Sequence, residues 1–200
     1  SQAEAQKQRY KHAVAAFAEH FGSIGEHRFF SAPGRTEICG NHTDHNHGKV
    51  FAASVNLDVI AVVEPTDDGK IVIKSEGFPE DSIELSALDV ADGEKNTSAS
   101  LIRGVAAGFV REGYKIGGFR AYTTSDVMKG SGLSSSAAFE VLVGTILSHL
   151  YNGGQVNPVK VAQISQFAEN VYFGKPSGLM DQMASSVGGF IAIDFKDTES

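Results

Sequence analysis

The run Gly130-Ser131-Gly132-Leu133-Ser134-Ser135-Ser136-Ala137-Ala138 constrains this chain most, because it joins a loop of small residues directly to a long helix-forming segment. Its glycines allow a sharp turn and a close backbone approach to a ligand, its serines add hydroxyl donors, and the free N–H groups of a first helical turn point outward. That combination suits an anion, and a polyphosphate in particular. Phe139, Val141, Leu142, Ile146, Leu147 and Leu150 follow at helical spacing, so the loop is expected to open a buried helix. The plain alternative is a capped helix start with no ligand, since serine is a favoured N-cap in its own right. A Walker A loop is excluded because Lys129 precedes the glycines, and the G-x-G-x-x-G dinucleotide pattern is absent.

Hydrophobic residues make up 42% of the 200, enough for a packed core. A net charge of −7 with no cluster of Lys and Arg argues against nucleic acid or an anionic membrane as partner. The single cysteine, Cys39, excludes an internal disulfide and a cysteine-based zinc cluster, and suits a reducing compartment; a cytoplasmic location is expected.

Along the chain, the patterns predict a helix from about Glu4 to Phe21 and a strand at Arg28 to Ser31 that stops at Pro33-Gly34. Val50 to Glu64, the turn signal Pro65-Thr66-Asp67-Asp68-Gly69 and the alternating Lys70 to Ser75 predict a β-hairpin. A short strand at Ile83 to Leu85, a polar loop at Ala87 to Ser98, a helix at Ser100 to Glu112 and a strand at Gly118 to Thr124 follow. Helices are expected from near Ser134 and over Pro158 to Tyr172, then an irregular loop and a strand at Gly189 to Asp194. This mixed order predicts one α+β unit and not regular β-α-β alternation. Only Phe195 to Ser200 follow the last strand, which reads as a truncated chain.

Two further stretches, Pro33 to Gly48 and Gly174 to Gln182, are dense in polar residues suited to a sugar. His42, Asp44, His45 and His47 also permit a metal reading, but ligands on so short a loop need partners from elsewhere, and a loop that hydrogen-bonds hydroxyls is the preferred reading. Asp181 follows a Pro/Gly turn and is expected at a helix start, where the macrodipole stabilises a carboxylate.

Together the three stretches resemble the N-terminal motifs of the galactokinases, members of the GHMP small-molecule kinases. Gly34, Arg35, Gly40, His42, Thr43 and Asp44 match the first motif; Gly132, Leu133, Ser135, Ser136 and Ala137 match the phosphate loop; Gly178, Leu179, Met180, Asp181 and Gln182 match the third. The chain departs from the family at Glu37, Cys39, His45, Met128 and Ser177, the last standing for a cysteine, and at Asn41, where galactokinases place a carboxylate against a sugar hydroxyl. The resemblance implies the α+β GHMP-kinase N-terminal domain, a mixed sheet packed with helices, as a single domain over residues 1–200, with the family's C-terminal domain absent from this chain. It implies ATP-dependent phosphorylation of the anomeric C1 hydroxyl of an aldohexose, galactose first.

By the same matching, Asp181 accepts or orients the C1 hydroxyl proton and Arg35 lies beside it. Asn41, His42, Asp44 and the Gly178 backbone hold the sugar. Gly130, Ser131, Gly132, Leu133, Ser134, Ser135 and Ser136 cradle ATP, with Ser135 or Ser136 and Glu169 around Mg²⁺. Two rivals remain: a kinase for another sugar, such as an N-acetylhexosamine, arabinose or a heptose, which Asn41 keeps open, and a non-catalytic galactose-sensing relative, which the presence of both Arg35 and Asp181 disfavours. A fragment of this kind is expected to be poorly active and, through a bared apolar face, to self-associate.

Overall fold

The computed structural model describes residues 2–22, 25–39, 49–127 and 135–194. Helix α1 (Gln2–Phe21) is followed by strands β1 (Arg28–Cys39), β2 (Lys49–Thr66), β3 (Lys70–Ser75) and β4 (Glu80–Glu84), then by α2 (Ser98–Arg111) and β5 (Gly118–Ser125). Helices α3 (Ser135–Tyr151) and α4 (Pro158–Phe167), a π-helical turn (Ala168–Phe173), α5 (Met180–Val187) and β6 (Phe190–Asp194) complete the chain. None of the described helices is long and apolar enough to cross a membrane.

The strands form one mixed sheet in the order β1-β2-β5-β3-β4, antiparallel except where β3 and β5 run parallel. Strand β2 organises it. One edge of β2 pairs with β1 along most of its length, and the other takes β6 opposite Lys49 to Ala53 and β5 opposite Val59 to Thr66. Alternation along β2 sends Val59, Ala61 and Val63 to one face and Ile60 and Val62 to the other, as a period of two requires. The first face carries the main core with Ile102, Val105 and Phe109 of α2 and Leu142, Ile146 and Leu147 of α3; the second is covered by Ala13 and Phe17 of α1.

Three expectations need correction. The hairpin predicted from Val50 to Ser75 does not form, because β5 enters between β2 and β3. Its first residue permits this: a Cβ on Gly118 would stand 2.6 Å from Thr66 Oγ1 and 2.8 Å from the Lys70 carbonyl, so the bare backbone threads between the two ends of the supposed hairpin turn. Strand β1 does not stop at Pro33-Gly34 but continues to Cys39 through an irregularity between Pro33 and Arg35. As the first strand in the sheet order, β1 can carry a proline whose missing N–H costs no central ladder bond. The irregular loop expected up to β6 gives way at Met180 to α5, with Asp181 in its first turn as expected of a helix start; its eight residues would be marginal alone but are docked through Met180 and Ala184 against Ala52 of β2.

The helix expected over Pro158 to Tyr172 begins as read, capped by the Asn157 side chain, but widens into the π turn after Phe167. Helix α2 packs closely on that turn at Gly104. A Cβ there would meet Ala168 Cβ at 2.8 Å, its Cα at 2.9 Å and the Tyr172 ring at 2.9 Å. Gly104→Ala would gain about 1 kcal/mol of helix propensity yet lose about 1–3 kcal/mol to overpacking against backbone. Net destabilisation in urea unfolding is the expected outcome; a stabilised variant would show that α2 and the π turn can separate freely.

Candidate active site

Arg35 follows the irregularity in β1, opposite Ser54 in the register, and its side chain is only 8% exposed. Its Nε donates to Oδ1 of Asp181, in the first turn of α5 and 25% exposed, joining residues 146 positions apart. The first turn of a helix favours a carboxylate, and a charge-assisted bond from a guanidinium adds to that preference. Position is enforced by packing on both sides of the pair: Met180 is fully buried against Ala52, and Ser185 Oγ donates to the Pro33 carbonyl at 2.7 Å. The ion pair therefore sits where α5 is stapled to β1.

Beside it lies a buried cluster of carboxylates. Glu169, on the π turn and 2% exposed, accepts at Oε2 from the Gln182 amide (2.6 Å) and the Ser177 hydroxyl (3.0 Å). Its Oε1 accepts more loosely from Ser136 Oγ (3.3 Å) and lies 3.6 Å from the largely exposed Lys175 ammonium. The Glu169 carbonyl takes the N–H groups of Gly174 and Lys175, and Asn170 Oδ1 takes the Ser177 N–H at 2.8 Å, so the loop into α5 folds back over the turn. Glu140 of α3, fully buried, accepts at Oε2 from the same Gln182 amide at 3.2 Å. Burial, then the Glu169 charge, push the Glu140 carboxyl well above its usual value, and the Gln182 hydrogen bond only partly opposes them.

Among the residues singled out in the sequence, Arg35 and Asp181 are in contact, and Ser136 and Glu169 are in contact. Ser135 opens α3 beside Ser136, and Gly178 lies half-buried three positions before Asp181. Asn41, His42 and Asp44, with His45 and His47, and the loop residues Gly130, Ser131, Gly132, Leu133 and Ser134 lie outside the described residues. No group of three or more His, Cys, Asp or Glu side chains among the described residues is arranged to hold a metal ion by itself.

Glu140 was not singled out from the sequence, and Gln182 and Ser177 were read only as motif positions. One signal for Glu140 exists: it is the lone acid in an otherwise apolar stretch, Ala137 to Val143, one helical turn after Ser136.

The raised Glu140 carboxyl has a definite pH consequence. In the unfolded chain it ionises near its ordinary value of 4.5, whereas in the fold it keeps its proton to higher pH. Between the two the folded state binds more protons, so this residue's stabilising contribution is complete below the ordinary value and is lost as pH rises toward the raised one. In thermal unfolding between pH 4.5 and neutrality, Glu140→Gln should therefore gain on the wild type as pH rises. A pH-independent difference between the two would contradict the shift.

Comparison with known proteins places this geometry in a family. Residues 15–65 match the galactokinase galactose-binding signature and residues 100–189 the GHMP kinases N terminal domain. The chain is 37% identical to a galactokinase of Lacticaseibacillus paracasei over 174 residues and 35% identical to one of Streptomyces coelicolor over 184, covering 86% and 90% of this chain. It spans 44% and 47% of those relatives, about half their length. The crystal structure of Lactococcus lactis galactokinase complexed with galactose superposes with a TM-score of 0.85 at 33% identity, covering 93% of this chain and 49% of that one. Methanococcus jannaschii mevalonate kinase shares the fold at 15% identity, with a TM-score of 0.71 over 88% of this chain and 56% of its own. The sheet with its stapled α5, the paired Arg35 and Asp181 and these matches together show that the chain belongs to the galactokinase branch of the GHMP kinase family.

Proposed function

We propose that this chain is the N-terminal domain of a longer kinase that transfers the γ-phosphoryl group of ATP to the C1 hydroxyl of galactose. The carrying observation is the Arg35–Asp181 pair: a partly buried carboxylate held at a helix N-terminus by a guanidinium, on a chain 33% identical to a galactokinase solved with galactose. Asp181 accepts the C1 hydroxyl proton as that oxygen bonds to the γ-phosphorus and the bond to the ADP oxygen breaks. Arg35 orients Asp181 and offsets negative charge on the transferring group. Asn41, His42, Asp44 and the Gly178 backbone hold the sugar hydroxyls, with Asn41 offering an amide in place of a carboxylate. A cytoplasmic location fits a nucleotide-dependent sugar kinase.

Residues Gly130 to Ser134, together with Ser135 and Ser136 at the start of α3, bind the ATP phosphates. Magnesium suits the neighbouring donors, since Ser136 Oγ and Glu169 Oε1 are hard oxygens 3.3 Å apart. That spacing is close to the ~2.9 Å between adjacent ligands of an octahedral ion with bonds of about 2.05 Å. Ser135, Ser136 and Glu169 would hold the ion, which neutralises charge on the phosphates. Glu169 serves by keeping Oε1 toward Ser136 while Oε2 is occupied by Gln182 and Ser177.

Two variants and one substrate panel test this reading. In the full-length protein Asp181→Asn should bind galactose and ATP yet turn over at least ~100-fold more slowly, the scale of a lost general base. Gly132→Val should weaken ATP in calorimetry while sparing the sugar, because a side chain there blocks phosphate approach. ATP consumption across galactose, N-acetylhexosamines, arabinose and heptoses should be greatest with galactose; greater turnover of another sugar would reassign the substrate, and none with any sugar would favour a sensor.

A further inference from the structure

Glu140 has no part in the reaction as described, yet a fully buried glutamate needs a reason to be in an apolar helix. Three observations converge on it. The Gln182 side chain is itself fully buried, and its Nε2 donates to Glu140 Oε2 and to Glu169 Oε2, so both amide N–H groups are committed. Among the described side chains the only buried oxygens without a partner are Glu140 Oε1 and Gln182 Oε1, one on each member of a hydrogen-bonded pair. Two acceptors cannot satisfy one another, but one proton on Glu140 Oε1 gives the donor that both lack, closing an acid–amide pair.

We infer that Glu140 and Gln182 form a positioning pair for Glu169: Glu140 holds the Gln182 amide from behind, and the amide fixes the Glu169 carboxylate with Oε1 beside the Ser136 hydroxyl. Burial and the nearby charges of Glu169 and Asp181 favour the neutral acid, while the Gln182 hydrogen bond and, more weakly, Lys175 oppose it. The neutral form matters geometrically. An ionised Glu140 would leave its own Oε1 and Gln182 Oε1 without a donor, whereas a protonated one both accepts from the amide and donates to it. Loss of Glu140 should leave the amide free to turn and loosen the grip on Glu169 Oε2. The inference rests on the kinase reading only for the identity of the cation that Glu169 and Ser136 would hold.

The test is binding of Mn²⁺·ATP, followed by electron paramagnetic resonance on full-length protein without sugar. Gln182→Met keeps the volume and removes both donors; its dissociation constant should rise at least ~10-fold, the scale seen when partners of metal ligands are lost. Glu140→Leu should show the same loss, and Glu140→Gln should restore binding to within about 3-fold of wild type, because an amide can pair reciprocally with another amide. That rescue separates positioning from folding, since Leu and Gln at position 140 fill similar buried space and differ in whether they can pair with the Gln182 amide. If Gln182→Met does not unfold cooperatively, the Glu140 variants decide alone. Unchanged affinity in Glu140→Leu, or a ~10-fold loss in Glu140→Gln, overturns the pair. Wild-type protein that binds Mn²⁺·ATP but phosphorylates no sugar would defeat the kinase reading and leave this one standing; failure of the wild type to bind Mn²⁺·ATP defeats it.

Discussion

A single carboxamide between two buried glutamates governs the arrangement of this site. Glu140 and Glu169 are drawn from different helical segments into the same low-dielectric space, where an uncompensated charge is far costlier than any one apolar contact is favourable. Gln182 answers both with one nitrogen. Once its two N–H groups are committed, α3, the π turn and α5 can move relative to one another only by breaking a buried hydrogen bond, and the penalty for leaving such a group unmade is what makes the junction rigid.

The consecutive residues Asp181 and Gln182 divide the work of α5. Successive helical side chains point about 100° apart, so the first turn of α5 can send Asp181 to Arg35 on β1 and Gln182 to the carboxylates on α3 and the π turn. The same short helix thus carries the proposed base on one side and orients the proposed cation ligand on the other. It is too short to hold this geometry by itself; Met180 and Ala184 against Ala52, and Ser185 on the Pro33 carbonyl, hold it.

Behind the polar cluster, small residues set the distances. Gly104 lets α2 approach the backbone of Ala168, the residue before Glu169, and Gly144 lets α3 approach Val161, whose side chain would stand 2.9 Å from an added Cβ. Close packing of this kind transmits displacement, since interiors at crystal-like density do not absorb even one methylene. Distance from the reacting groups therefore gives no immunity. A change at Gly104 acts on Glu169 through a single peptide unit.

Much was legible in the chain itself. Periodic apolar positions marked α1, α2, α3 and the start of α4, because a buried helical face must repeat near every 3.6 residues whatever lies against it. The resemblance to the galactokinase motifs pointed to Arg35, Asp181, Ser136 and Glu169, because those motifs are short and local enough to be matched position by position. What sequence could not decide was which distant segments meet. The turn at Pro65 to Gly69 looks the same whether or not another strand enters beside it, and only Gly118 sliding between Thr66 and Lys70 turned a local hairpin into a β2-β5-β3 order. The segment of α5 is only eight residues long, too short to be stable as an isolated helix, and it is held by its dock on Ala52. Glu140 carried one local clue, an acid in an apolar helix, but its partner lies 42 positions away. Local periodicity is written in each segment, whereas pairing between buried polar groups exists only after the chain has brought them together.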